Sequence, residues 1–412
     1  MDPTDLRALL TPEGLRLLDG IGPIDSTDAA VAAVGRLRRD GHDPAIVAAA
    51  VTQARLRTRA TSKFGEFAAR MLFTDAGLQQ ATRLSVAAHH AGRFRAAGLD
   101  RIADLGCGIG GDAMAIAAIG LAVTAIDRDE ATAAIAAYNV APFPRAEALV
   151  GDAETADLDG VGGVWLDPAR RDGATRLRDP GDWSPSLDVA FDIAARRPTG
   201  IKLGPGIDRG LIPDGLEAQW VSDRGEVVEL ALWSGPLARD GIRRAALVLG
   251  PRGAHELTGA ADADDEPAGP LGDVIVEPDG AVIRARLIGD LARTLGARML
   301  HPTIAYLTLD APAATPFGAA FVVEADLPLD ARTIKRELAA RRIGELEIKK
   351  RGVDIDPAQF RTRLGLRGDE RAVLILTRVG DRRRAILARR WNEDADPAGS
   401  AESASDDGSA AQ

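Results

Sequence analysis

The sequence predicts an α/β protein: a parallel sheet with helices on both faces, preceded by a helical region and followed by a smaller α/β domain. Three observations lead there. Before residue 100 the apolar residues recur at helical spacing. From residue 101 short apolar runs alternate with helical stretches, the pattern of strands joined by crossover helices. A stretch rich in Gly, Pro, Ala and acid at 250–270 then separates this region from a second mixed one. At 412 residues the chain is too long for one ordinary domain. The expected divisions are a helical region at 1–98, a sheet domain at 99–249, a linker at 250–270, a second domain at 271–391 and a disordered Ser/Ala/Asp/Gly tail at 392–412.

The first helices carry Leu6, Leu9, Leu10, Leu15, Leu17 and Leu18, and Ala-rich helices follow at 29–37 and 45–56. Two more are expected at 63–73 and 77–97, the second with Leu78, Ala81, Leu84, Ala88 and Ala91 on one face. Strands are predicted at 101–105, 122–126, 148–150, 163–166 and 200–203, with helices at 111–119, 129–139 and 187–196 between them. The runs at 216–221 and 227–233 read as antiparallel edge strands, which 245–249 extends. In the last domain strands are expected at 273–276, 319–323, 346–349 and 372–377, with helices at 281–296 and 331–341.

Bulk properties exclude several classes of function. A net charge of −10 argues against a protein that coats nucleic acid over its whole surface. The charge is uneven, because residues 331–390 hold 18 Lys or Arg against 8 Asp or Glu. The single cysteine, Cys107, excludes an internal disulfide framework and a Cys-only metal site, and the adjacent His89 and His90 diverge on a helix, so no metal is expected. No apolar run reaches the roughly 18–20 residues that span a bilayer, and the acidic start lacks a signal-peptide layout. A cytoplasmic protein without membrane contact is expected.

The chemistry concentrates in the run Asp104-Leu105-Gly106-Cys107-Gly108-Ile109-Gly110-Gly111-Asp112, between the first strand and its helix. Its glycines allow a tight turn and close approach to a ligand. The DxGxGxG spacing departs from the GxGxxG of dinucleotide loops, which disfavours NAD. Asp104 suits the positively charged end of S-adenosylmethionine. Asp127, closing the second strand, suits two ribose hydroxyls, and Asp152, closing the third, suits an adenine amino group. All three acids fall at carboxyl ends of parallel strands, where open α/β sheets bind ligands. The fourth strand ends in Asp167-Pro168-Ala169-Arg170-Arg171. There an acid can orient a nucleophile, and a guanidinium can grip a phosphate or carboxylate. A lone cysteine inside the cofactor loop argues against covalent attack on a pyrimidine, which needs a thiolate beside the substrate, and direct displacement is expected instead.

These residues resemble the class I methyltransferases: DLGCGIGGD as first motif, AIDRD as second, GDA as third. The resemblance implies a Rossmann-like sheet and S-adenosyl-L-methionine as cofactor. It implies cofactor contacts from Asp104, Gly106, Gly108, Gly110, Asp127 and Asp152, with Arg128 and Ala153 beside them, and a catalytic edge at Asp167 and Pro168, to which the chemistry of the guanidinium adds Arg170. In base-directed N-methyltransferases the acid is followed by Pro-Pro and an aromatic; here Ala169-Arg170 stands instead. The segments Lys63-Phe64, Met71–Thr74, Gly77–Thr82, His301–Leu307, Ile348–Gly352, Leu364–Gly368 and Thr377–Gly380 are similar to a bacterial methyltransferase family with a THUMP-like C-terminal domain. That likeness implies an RNA substrate, with transfer RNA as one candidate. The basic groups Lys349-Lys350-Arg351, Arg382-Arg383-Arg384 and Arg389-Arg390 are the expected phosphate-contacting face. Two rivals stay open: a methyltransferase for a small anionic metabolite, and a non-catalytic RNA-binding protein that keeps the cofactor fold.

Overall fold

The computed structural model describes residues 3–168, 171–172, 175–176, 181 and 183–392. The chain divides into two compact units, Met1–Asp223 with Val228–Arg243, and Arg224–Val227 with Arg244–Gln412.

The first unit opens with α1 (Pro3–Leu9), α2 (Pro12–Gly20), α3 (Thr27–Arg39) and α4 (Pro44–Phe64). Thr11, Ser26 and Asp43 begin the last three by accepting hydrogen bonds from first-turn N–H groups that have no helical partner. The three shorter helices pack on α4, burying Leu6, Leu9, Leu18, Val47, Ala50 and Leu56.

Here the periodicity misleads. Instead of helices at 63–73 and 77–97, α4 ends at Gly65 (φ 56°), a 3-10 turn covers Gly65–Arg70, and two helices follow, α5 (Asp75–Gln80) and α6 (Leu84–Ala96). The cause is a capture from a distance. The Lys63 ammonium donates to the carbonyls of Leu78, Gln79 and Ala81 at 2.9, 2.9 and 2.7 Å, oxygens a continuous helix would need for itself.

The sheet of this unit comprises β1 (Arg101–Leu105), β2 (Ala122–Asp127), β3 (Ala146–Val150), β4 (Gly163–Leu166), β5 (Thr199–Leu203), β6 (Glu217–Asp223) and β7 (Glu226–Trp233). Helices α7 (Gly111–Ala118), α8 (Glu130–Val140) and α9 (Leu187–Arg196) connect the early strands. The spatial order is β3-β2-β1-β4-β5-β7-β6. Pairing is parallel from β3 to β5 and antiparallel between β5 and β7. The central β4 is buried along its whole length, so it reads as an unbroken apolar run, whereas β3 is largely exposed.

The second unit begins with an antiparallel hairpin, β8 (Arg244–Gly250) and β9 (Gly253–Gly259). The front of the expected linker is therefore an ordered strand; Gly253, at φ 101°, takes a backbone conformation closed to other residues and returns the chain on itself. A seven-stranded sheet follows, built from β10 (Val274–Pro278), β11 (Arg298–His301), β12 (Ile304–Leu309), β13 (Gly318–Pro328), β14 (Ile343–Lys350), β15 (Glu370–Val379) and β16 (Arg382–Arg390), in the order β11-β12-β10-β13-β16-β15-β14. The expected helix at 281–296 is two, α10 (Gly280–Arg284) and α11 (Ile288–Leu295), parted where Arg286 turns left-handed at φ 58°. Helices α12 (Ala331–Ala340) and α13 (Pro357–Leu364) cover one face through Ile334, Leu338, Phe360 and Leu364, packed on Leu374, Leu376 and Leu387. No helix among the described residues is long and apolar enough to cross a membrane.

Candidate active site

At the carboxyl ends of β1, β2, β3, β4 and β5 a cavity of about 590 Å³ opens. Its floor is the loop after β1, where Gly106, Gly108 and Gly110 all have positive φ. Gly106 has no room for a side chain, since a Cβ there would lie 2.8 Å from the carbonyl oxygen of Asp167. The loop thus rests directly on the end of β4. The backbone N–H groups of Gly106 and Cys107 both donate to Ile126 O, at 2.9 and 3.0 Å, tying it also to β2.

The far wall comes from the N-terminal helices. Two buried amides hold it by matching backbone groups in both directions. Gln53 accepts from Phe73 N at 3.0 Å and donates to Phe73 O at 2.6 Å. Asn139 accepts from Leu72 N at 2.8 Å and donates to Leu72 O and Ile109 O at 3.0 and 2.8 Å. Together they set 71–73, and hence Thr74–Gln80, against the loop.

The residues singled out in the sequence are largely brought together. Gly106, Gly108, Asp127, Arg128, Asp152, Ala153, Asp167 and Pro168 all line the cavity. Asp127 accepts from Gly108 N at 3.0 Å and Asp129 N at 2.9 Å, and burial pushes its carboxyl above the usual range. Asp152 is exposed and accepts from Glu154 N at 2.9 Å. Gly110 does not reach the cavity; it caps α7 and faces Ala136 of α8. Arg170 lies outside the described residues. Cys107 is buried, which pushes its thiol well above the ordinary range and makes it a poor nucleophile.

Asp104 sits beneath the lining, 1% exposed, with both carboxylate oxygens lacking a hydrogen-bond partner among the described residues. Burial raises its pKa well above normal, and the nearby Asp112 and Asp167 add to the rise. Lys202 pulls it partly back down, but no donor among the described residues hydrogen-bonds either oxygen, as buried polar groups ordinarily require.

Lys202 carries no signal in the sequence, and the partners of His90, expected there only not to bind metal, are set by the fold. Lys202, on β5, donates to Asp167 Oδ2 at 2.6 Å; the two side chains are 13% and 33% exposed. Burial works against both charges and raises the Asp167 pKa. The carboxylates of Asp167, Asp112 and Glu229 outweigh burial at Lys202 and hold it charged. Below the loop, His90 bridges Asp112 (Nδ1 to Oδ1, 2.8 Å) and Glu229 (Nε2 to Oε1, 2.6 Å), stacked 4.1 Å from the ring of Trp165. The Thr82 hydroxyl donates to the other oxygen of Asp112 at 2.7 Å. Among the described residues no group of three or more His, Cys, Asp or Glu side chains is placed to hold a metal ion.

Of the basic C-terminal groups, Lys350, Arg382 and Arg383 are exposed without a carboxylate in ion-pair distance among the described residues, and four others are paired. Lys349 pairs with Glu277 and Glu347, Arg351 with Glu277, Arg384 with Asp326 and Arg390 with Glu347. The acids that neutralise Lys349, Arg351 and Arg384 stand on β10 and β13, outside the window where the basic excess was counted.

Comparison with known proteins adds three findings. Residues 318–390 match a family described as THUMP domain-like, and residues 2–60 match a domain of unknown function. Over 339 residues the chain is 36% identical to an uncharacterised S-adenosylmethionine-dependent methyltransferase of Mycobacterium tuberculosis, found alike in strains CDC 1551 and H37Rv; the match covers 79% of this chain and 91% of the relative. The crystal structure of a candidate methyltransferase from Porphyromonas gingivalis W83 shares the fold at a TM-score of 0.71 and 20% identity, over 95% of this chain and 100% of that one.

Proposed function

The chain belongs to the S-adenosylmethionine-dependent methyltransferases, and from that premise we propose that it methylates a folded RNA, the first unit carrying the chemistry and the second presenting the substrate. S-adenosylmethionine is its cofactor. The site fits that molecule on its own terms. Asp104 is a buried carboxyl without a partner, and Gly106 leaves bare backbone where a side chain would intrude. Asp127 would hold the ribose hydroxyls, Asp152 the adenine amino group, and Asp104 the positively charged amino end, directly or through water. Arg128 and Ala153 would flank the nucleoside.

When bound, the cofactor supplies an electrophilic methyl group on a sulfonium. The chain's own part is to place a nucleophile in line with it. Asp167 Oδ2 is held by Lys202, while Oδ1 has no hydrogen-bond partner among the described residues. That oxygen would accept the N–H or O–H of the acceptor and orient its lone pair toward the methyl group. Pro168 stiffens the backbone beside it, and Arg170 is proposed to grip an anionic group on the substrate.

The match of 318–390 to a THUMP domain-like family carries the RNA reading, because THUMP domains belong to RNA-modifying enzymes. The test is to incubate methyl-labelled cofactor with RNA from a strain lacking this protein. Label is expected in one nucleoside of the hydrolysed RNA. Label confined to the low-mass fraction would replace RNA with a small metabolite, and cofactor binding without any transfer would leave only a binding protein.

For the cofactor residues, calorimetry with S-adenosylhomocysteine gives a direct measure. Asp127→Ala removes two charge-assisted hydrogen bonds to the ribose, about 3 kcal/mol or roughly 100-fold in affinity. It also frees Gly108 N and Asp129 N. An unchanged affinity would remove Asp127 from the ligand set.

A further inference from the structure

The described cations of the second unit fall into two groups. On the strands Arg244, Arg298, Lys349, Arg371, Arg384 and Arg390 are tied to carboxylates, and Lys350, Arg382 and Arg383 at the strand ends are not. The helical layer carries the second group. Arg332, Lys335 and Arg336 on α12, Arg361 and Arg363 on α13, and Arg367 just beyond it are all exposed, and none has a carboxylate within ion-pair distance among the described residues.

The acids of this layer are mostly already engaged. Asp330 and Asp356 cap α12 and α13 by accepting from Thr333 N and Gln359 N, each at 2.8 Å, and Glu337 is held by Arg341 at 2.7 Å. The two helices share one apolar underside, so their outer sides form a continuous surface. The Lys335 ammonium lies 3.3 Å from where a Cβ on Gly365 would stand, which sets a cation of α12 at the end of α13, between Arg363 and Arg367 in sequence.

Six unpaired cations on one layer repel each other, in a chain whose net charge is −10 and which has acids enough to neutralise them. On the strands Lys349, Arg371, Arg384 and Arg390 draw on that supply, leaving Lys350, Arg382 and Arg383 unpaired at the strand ends, whereas none of the six on this layer does. We infer that the outer face of α12 and α13 is the surface that takes the phosphates of the RNA, an inference that rests on the RNA reading above. The face offers no aromatic platform. Phe360, the aromatic residue of these helices, is buried on the inner side. Contacts are therefore to the phosphates and shape of a folded RNA, not to stacked bases of a single strand.

The experiment measures binding of total transfer RNA across a salt series, using the full chain. The helix variant is Arg336→Gln/Arg361→Gln/Arg363→Gln; the control is Lys350→Gln/Arg382→Gln/Arg383→Gln at the strand ends. Glutamine keeps helix propensity at exposed positions, and unchanged thermal unfolding with unchanged S-adenosylhomocysteine binding confirms that both variants fold. Losing three phosphate contacts lowers the slope of log K against log salt by roughly 2–3, and affinity at 0.15 M salt on the order of 100-fold. The control is expected to stay close to wild type. If the helix variant binds like wild type, or the control falls as far, this face is wrong while the RNA reading stands. If wild type itself shows no salt-dependent binding, both fall together.

Discussion

Asp167→Asn is expected to lower methyl transfer by about 100- to 10,000-fold, the range spanned by a positioned acid–base group, with little change in S-adenosylhomocysteine affinity. Asparagine keeps the size of the side chain and one acceptor oxygen but cannot take a proton. The defect therefore belongs in the turnover rate rather than in cofactor binding. Lys202→Met makes the sharper test. In the wild type, burial raises the Asp167 pKa and Lys202 pulls it back down. Without the ammonium only the upward push remains, so more of the carboxyl is protonated at a given pH. The acidic limb of the pH–rate profile then moves to higher pH, and activity returns as the pH is raised. A lysine that merely packed beside the site would lower activity without moving that limb. An unshifted profile would return Lys202 to a structural role.

Lys202 and the partners of His90 show why part of this site was hidden in the sequence. The loop from Asp104 to Asp112 is legible because its function is local. Alternating glycines and an acid at a strand end lie within nine residues, and Asp127 and Asp152 mark the next two strand ends in order. Lys202 carries no such mark, being one polar residue on a buried strand; its meaning comes from Asp167, 35 residues earlier. Glu229 reaches His90 across 139 residues. The same limit explains the errors in secondary structure. Nothing near Leu78 announces that Lys63 takes its carbonyl. The strand β16 lies between β13 and β15 in its sheet, yet went unread because three arginines precede and two follow its short apolar run. The excess of positive charge at 331–390 was visible at once, but which cations are free depends on acids of β10 and β13, and only folding sets them in place.

His90→Leu is expected to destabilise the protein by about 3–5 kcal/mol, because it removes the shared partner of two buried carboxylates. Asp112 and Glu229 are 6% and 2% exposed, so neither can turn to water for compensation. Against a total stability of roughly 5–15 kcal/mol, thermal unfolding should show a drop of about 10 °C or more. His90→Leu/Glu229→Leu should recover part of it, since exchanging both members of a buried pair for apolar groups costs less than orphaning one. The pH dependence gives an independent check. Burial alone would push the imidazole down; Glu229 and Asp112 outweigh it and hold the pKa up at about 9, against 6.5 when unfolded. A folded-state pKa above the unfolded value means that folding takes up a proton. The stabilisation is complete below pH 6.5 and is lost as pH rises through about 9. Over that window it amounts to about 3 kcal/mol. Chemical denaturation at several pH values should show wild type weakening between pH 6.5 and 9 and the leucine variant nearly flat. A flat wild-type curve would mean that the imidazole is neutral in the fold. Asp112 opens the helix that follows the cofactor loop and lines the cavity together with Thr82. Loss of the imidazolium therefore loosens the floor of the cofactor site before the unit unfolds, and S-adenosylhomocysteine affinity should decline over the same pH range as stability.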